Sequence, residues 1–254
     1  MSNSQGAPGV VGPFAGLDVP WLLRMQAETR RDHPFLIWAP FDAPARIWRY
    51  GEFNDRVGAL AAGLAKRGVK SGEFVLIHLD NCVEAMLAWF ACVELGAIAV
   101  TTNTRSAPAE MEYFAGHCGA VAAITQPAYA EIIAAHCRGL RWLAVISHDA
   151  GVRPAPDAAT PRGDAFEALF ADSAERPRRV SDPLAPCSVQ YTSAPRRAQR
   201  RCCGLTPMRY GAPRSMRRIR ICTPATYTTP TCRCFTPMRW PIRCWRACGS
   251  ALLA

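Results

Sequence analysis

The sequence predicts an α/β fold over residues 19–193, a parallel-type sheet with flanking helices, and an irregular or disordered tail over residues 194–254. Two observations carry this reading. Short apolar runs alternate with segments whose apolar residues recur at three- and four-residue spacing, the pattern of repeated βα units. The composition then breaks after Ser193: residues 194–254 contain no Asp, Glu, Lys or His, but hold 13 Arg, 7 Cys and 7 Pro. Residues 1–193 carry 17 basic side chains against 20 acidic ones, a formal net of −3, so the chain's charge of +10 describes the tail.

Each element has its own signal. Residues 19–31 have helical spacing, with Trp21, Leu22 and Met25 on one face. A short strand pair is expected around residues 45–49. Residues 50–67 form the clearest helix, because Phe53, Val57, Leu60 and Leu64 share one face and Gly68 stops it. Val75, Leu76 and Ile77 mark a buried strand at 73–79. A second strong helix at 82–95 closes at Gly96, and strand 97–101 follows. Helix 107–117, strand 120–125, helix 128–137 and strand 141–147 continue the alternation. The Pro-, Asp- and Gly-rich stretch 148–163 reads as a surface loop. A short helix is expected at 164–170 and a strand at 187–192.

The bulk properties exclude several classes. No basic stretch precedes an apolar one in residues 1–16, so no secretory signal is expected and the location reads as cytoplasmic, where thiols stay reduced. The most apolar segment, 85–102, is interrupted by Glu94 and is too short and too charged to span a membrane.

Residues 19–193 resemble the AMP-forming acyl-CoA synthetases, a branch of the adenylate-forming superfamily. The resemblance rests on order and spacing: Tyr50-Gly-Glu-Phe-Asn54, a helix, Gly68-Val-Lys-Ser-Gly72, a strand, Leu79-Asp-Asn-Cys82, a helix, Glu94-Leu-Gly-Ala97 and then Thr102-Asn-Thr-Arg105. The stretch Leu79–Cys82 is similar to the carnitine and fatty-acid branches. The resemblance implies a partial N-terminal domain of an adenylate-forming enzyme at 19–193, preceded by an N-terminal extension at 1–18. It also implies activation of a carboxylic or fatty acid with ATP and Mg²⁺ to an acyl-adenylate, then transfer to coenzyme A.

The resemblance stops at Val189-Gln-Tyr-Thr-Ser193. In the family this strand leads into a Thr-Ser-Gly-Thr-Thr loop ending in Pro-Lys, where glycine lets backbone N–H groups approach the ATP phosphates. Thr192 and Ser193 match the first two positions of that loop, and they are the candidate cofactor-binding residues. The next residues, Ala194-Pro-Arg-Arg197, supply neither the glycine nor the lysine, and no Lys follows Lys70.

The genetic code offers a source for the break. With each codon begun one base earlier, Ala194 through Arg201 permits Gly-Thr-Thr-Ser-Arg-Pro-Lys-Ala, the missing loop. Cys202 through Met208 permits Val-Leu-Trp-Thr-His-Ala-Asn, also similar to the family. The tail therefore reads as an out-of-frame product. The chain is expected to be truncated and inactive, lacking the phosphate loop and the family's C-terminal domain, with no catalytic residues and no bound cofactor. A sheet edge left without cover makes aggregation an expected outcome.

A non-catalytic interaction protein whose basic tail binds nucleic acid is the alternative, from Arg196-Arg197, Arg200-Arg201 and Arg217-Arg218. Out-of-frame GC-rich DNA yields Arg, Pro and Cys without selection, so no specific nucleic acid is expected. Cys232-Arg-Cys234 and Cys244–Cys248 lack histidine and a paired Cys-x-x-Cys, so no metal site is assigned. His117-Cys118 and His136-Cys137 read as helix-end histidines beside buried cysteines. Asp80 and Asn81 read as turn and capping residues, Cys82 as core, and Trp89/Phe90 as helix packing.

Overall fold

The computed structural model describes residues 17–40, 44–150, 162–178, 181–192 and 200–205. Seven strands form one sheet in the order β7-β6-β5-β3-β4-β8-β9, and β1 and β2 form a separate antiparallel pair. The sheet is parallel from β7 to β8, with β9 antiparallel at one edge. The expected α/β fold with a parallel-type sheet is therefore the observed one.

Helix α1, Val19–Thr29, starts where Asp18 Oδ1 accepts the backbone N–H of Trp21 at 2.9 Å. Its buried residues are Pro20, Leu23 and Ala27. This corrects the expected face: Leu22 is exposed, and Trp21 and Met25 are only half-buried. Strand β1, Pro34–Trp38, pairs with β2, Arg46–Arg49, so the expected pair exists with its partner further upstream.

Helix α2, Tyr50–Lys66, buries Phe53, Val57, Leu60 and Leu64 completely. Each such side chain contributes about 1.5–3 kcal/mol by leaving water. Strand β3, Phe74–His78, sends Val75 and Ile77 toward this face and Leu76 toward the other, the period-two alternation that packs helices on both sides. Helix α3, Val83–Leu95, ends at Gly96, whose φ of 81° is the left-handed conformation that closes helices. It returns the chain to β4, Ile98–Thr101, beside β3.

Helix α4, Pro108–Cys118, begins with Glu110 Oε2 accepting the Ala107 N–H at 2.9 Å. It crosses to β5, Ala120–Thr125, on the other side of β3. Helix α5, Pro127–His136, leads to β6, Trp142–Val145. Helices α1, α2 and α3 thus cover one face around Val75, Ile77 and Ile124, while α4 and α5 cover the other around Leu76, Val100 and Val189.

The expected helix at 164–170 is instead strand β7, Asp164–Ala165, followed by a 3-10 turn, Phe166–Leu169. A second turn, Ser173–Glu175, follows. This strap lies across α2 where its side chains are smallest. The Ala171 N–H donates to Ala59 O at 3.1 Å, and a Cβ at Gly63 would fall 1.4 Å from Leu169 O. Strand β8, Pro186–Thr192, then pairs with β4.

Of the tail expected to lack a defined fold, residues 200–205 form β9, Arg200–Leu205, with Thr192 opposite Arg200. Residues 206–254 lie outside the described residues, as do 1–16 of the expected N-terminal extension and most of the expected loop 148–163.

Candidate functional site at the carboxyl edge of the sheet

Parallel α/β sheets bind ligands at the carboxyl ends of their strands, where neighbouring connections diverge to opposite faces. Here that point lies between β3 and β5: β3 leads to α3 on one face and β5 leads to α5 on the other. Four strand exits meet along this edge. They are His78 to Cys82 after β3, Thr102 to Arg105 after β4, Gln126 after β5, and Thr192 at the end of β8.

Asp80 is the hub of the edge. Its carboxylate accepts from Thr104 Oγ1 at 2.7 Å, Gln126 Nε2 at 3.0 Å and the Tyr129 hydroxyl at 3.2 Å. Its own N–H donates to Gln126 Oε1 at 2.8 Å. This corrects the reading of Asp80 as a capping residue: α3 takes Cys82 as its N-cap without a side-chain hydrogen bond, and Asp80 joins three connections instead. Below it, His78 is 1% exposed, with Nδ1 2.8 Å from Thr102 Oγ1 and its ring 4.9 Å edge-on from Tyr129. Burial pushes the His78 imidazole down to about 4, so it is neutral at pH 7. Thr125 Oγ1 donates to His78 O at 2.9 Å. These groups satisfy one another and hold the crevice shut with polar bonds, which makes them a scaffold for the loops above.

The loop beside β8 stays open to solvent. Thr101 pairs with Gln190, so the exit of β8 at Thr192 runs alongside the exit of β4. There Asn103 and Arg105 are exposed, and the Asn103 side chain accepts the Arg105 N–H at 3.0 Å. Tyr191 fixes the end of β8 from below. Its hydroxyl donates to Phe114 O at 3.3 Å and lies 3.1 Å from His117 Nδ1, and its ring stacks on Phe114 at 4.2 Å.

The candidate residues divide accordingly. Thr192 is the last residue of β8, and Ser193 lies outside the described residues. Seven residues, 193–199, join β8 to β9 and lie outside the described residues. Their sequence, Ser-Ala-Pro-Arg-Arg-Ala-Gln, does not fit a nucleotide triphosphate with Mg²⁺, because no glycine admits close approach and no lysine supplies the compact charge.

The cysteines serve the core. Cys82, Cys118 and Cys137 are buried, and burial pushes Cys92 up to about 12 and Cys137 up to about 11. Such thiols are poor nucleophiles. His117 and His136 end their helices as expected, although His117 also contacts Tyr191. Trp89 and Phe90 pack against the core. Among the described residues, no cluster of three or more His, Cys, Asp or Glu could hold a metal, and no helix is long and apolar enough to cross a membrane. A hollow of about 460 Å³ lined by Cys137, Arg138 and Trp142 lies at the amino end of β6, away from this edge.

A family model for AMP-binding enzymes matches residues 23–194. The chain belongs to the AMP-binding enzyme family. The matched region is similar to the N-terminal part of adenylate-forming acyl-CoA synthetases. A crotonobetaine/carnitine–CoA ligase of Proteus mirabilis is 31% identical over 106 residues, covering 42% of this chain and 20% of that protein. A naringenin synthase of Pestalotiopsis fici is 33% identical over 117 residues, covering 46% of this chain and 4% of that protein. The chain thus spans a fifth or less of these relatives.

Among solved structures, an anthranilate–CoA ligase in complex with anthranoyl-AMP matches with a TM-score of 0.63 at 20% identity, covering 78% of this chain and 36% of that one. A long-chain-fatty-acid–CoA ligase from Rhodopseudomonas palustris matches with a TM-score of 0.62 at 20% identity, covering 75% and 45%. These neighbours share the fold.

Proposed function

We propose that this chain carries the opening βα layers of an AMP-forming acid–CoA ligase, cut off from its chemistry by a shifted reading frame after Ser193. The intact enzyme would use ATP and Mg²⁺ to activate a carboxylic acid, then pass the acyl group to coenzyme A. Relatives named for carnitine, anthranilate and long-chain fatty acids leave the acid to residues beyond the matched region. A cytoplasmic location suits these substrates.

One coincidence carries the reading. The family match ends at residue 194, one residue beyond Ser193, where a tail begins that has 13 Arg and 7 Cys but no acidic residue to balance them. The strand-loop-strand frame of β8 and β9 continues across that point with seven residues between the strands. Backbone pairing tolerates substituted side chains, whereas phosphate binding needs glycine, hydroxyls and lysine at set places. The fold element therefore outlasts the chemistry.

The 254-residue chain is inactive on this reading and holds neither ATP nor coenzyme A. Purified chain of verified mass, incubated with ATP, Mg²⁺, coenzyme A and a panel of carboxylic acids, should form no acyl-CoA above the blank. Turnover with any of the acids would overturn the proposal.

A further inference from the structure

The exit of β6 is held from both faces of the sheet. His148 Nε2 lies 3.3 Å from Glu84 Oε2 in the first turn of α3. One residue on, Asp149 Oδ1 accepts the Ala128 N–H in the first turn of α5 at 2.9 Å. His148 and Asp149 are thus bonded to the N-termini of two helices that cover opposite faces. Ile146, 2% exposed, anchors them from below through its N–H to Thr125 O at 2.9 Å. Directly after this clamp, Ala150 adopts a φ of 48°, the one non-glycine residue with positive φ among those described. That conformation is unfavourable for a residue with a Cβ, so the contacts of His148 and Asp149 just before it help to hold it.

Among the described residues, three carboxylates act on the imidazole. Glu84 faces it from α3, Asp149 from its own loop and Glu167 from the 3-10 turn after β7. Glu84 is itself steadied by the Cys82 thiol. Both partners are about four-fifths buried, with side chains 18% and 23% exposed, so solvent screens the pair only in part.

We infer that the Glu84–His148 pair is a proton-operated latch that clamps the β6 exit between α3 and α5 and loosens when the imidazolium loses its proton. The directions of titration agree. The hydrogen bond to Glu84 holds His148 above the ordinary imidazole value, outweighing burial. Burial pushes Glu84 up, but the bond from His148 and nearby donors leaves it below the ordinary carboxylate value. The contribution of His148 is complete below its unfolded value and is lost as pH rises through its raised one. That of Glu84 is complete above its unfolded value and is lost as pH falls through its lowered one. The latch is closed between those limits and opens on the alkaline side by losing one proton.

The test uses the full chain and needs no turnover, so it stands apart from the ligase reading. The His148 ring is titrated by NMR, and hydrogen exchange at the Ala128 amide is measured at pH 6 and pH 9, corrected for the intrinsic rate. His148 should titrate above the ordinary imidazole value and fall toward it in Glu84→Gln. Exchange at Ala128 should be faster at pH 9 than at pH 6 after that correction, because the pair that holds the β6 exit is lost as the imidazolium deprotonates. A midpoint at or below 6.5, a midpoint unmoved in Glu84→Gln, or protection independent of pH would overturn the latch. Should Glu84→Gln fail to fold, the midpoint and the Ala128 protection of the unsubstituted chain decide alone.

Discussion

Glu94 Oε1 accepts a hydrogen bond from Arg176 Nε at 2.8 Å, across 82 residues of sequence. The same oxygen accepts from Arg24 Nη1 at 2.9 Å, and the Glu94 side chain is 1% exposed. The charge that interrupts the most apolar segment is therefore the point where α1, α3 and the strap after β7 are tied together. Arg176 continues the tie to α2 through Asn54 Oδ1 at 3.0 Å.

Removing one member of a buried pair leaves the others charged and unpaired, which typically costs about 3–5 kcal/mol. Glu94→Ala should therefore lower unfolding free energy by that order, as read by urea denaturation. A loss below about 1 kcal/mol, the level of a surface ion pair, would show that the tie does not hold the strap.

Gly63 sets two effects against each other. Alanine is favoured over glycine inside a helix by about 1 kcal/mol. Yet the added Cβ would lie 1.4 Å from Leu169 O, a backbone atom that can yield only if the strap leaves α2. Overlap wins, and Gly63→Ala should destabilise by about 1–3 kcal/mol or more. Gly116→Ala in α4, with nothing within 4 Å of its Cβ, should stabilise by about 0.5–1 kcal/mol in the same denaturation series.

His78 gives stability a pH slope. Its folded value of about 4 lies below the unfolded value of 6.5, so the unfolded chain binds the proton more readily between them. Stability falls as pH drops from 6.5 to 4, by about 3 kcal/mol at most. Denaturation midpoints across that window should decline steeply in the unsubstituted chain and less steeply in His78→Gln. Equal slopes would place the proton elsewhere.

The arginine-rich tail should attract RNA only through phosphate charge. Retention on RNA is expected at 50 mM salt, without preference among sequences, and should fall by orders of magnitude near 200 mM. Sequence preference that survives physiological salt would favour a selected nucleic-acid function.

Much of the fold was legible because its signals are local. Phe53, Val57, Leu60 and Leu64 announce α2 by spacing alone, and Gly96 and Gly68 announce their stops. The face of α1 is not legible in the sequence, because Trp21 and Leu22 carry more apolar bulk than Pro20, Leu23 and Ala27, the residues that the fold buries. Strand β1 carries too few buried residues to alternate clearly. The polar partnerships lie beyond any local pattern. Asp80 meets partners 24 to 49 residues away, and Glu94 meets them at 70 and 82. Spacing cannot find these, although a histidine at the end of an apolar strand and a glutamate within an apolar helix mark where to look. Thr192 ends strand β8, as the strand pattern at 187–192 expects, while the break after Ser193 is a reading of composition.

The most direct test is the coding sequence from Tyr191 onward, read from an independent template and translated one base earlier. The account predicts Gly-Thr-Thr-Ser-Arg-Pro-Lys-Ala in place of residues 194–201, followed by an open frame that regains Asp, Glu, Lys and His. A stop codon within that frame, or codons that give no glycine and lysine there, would contradict it.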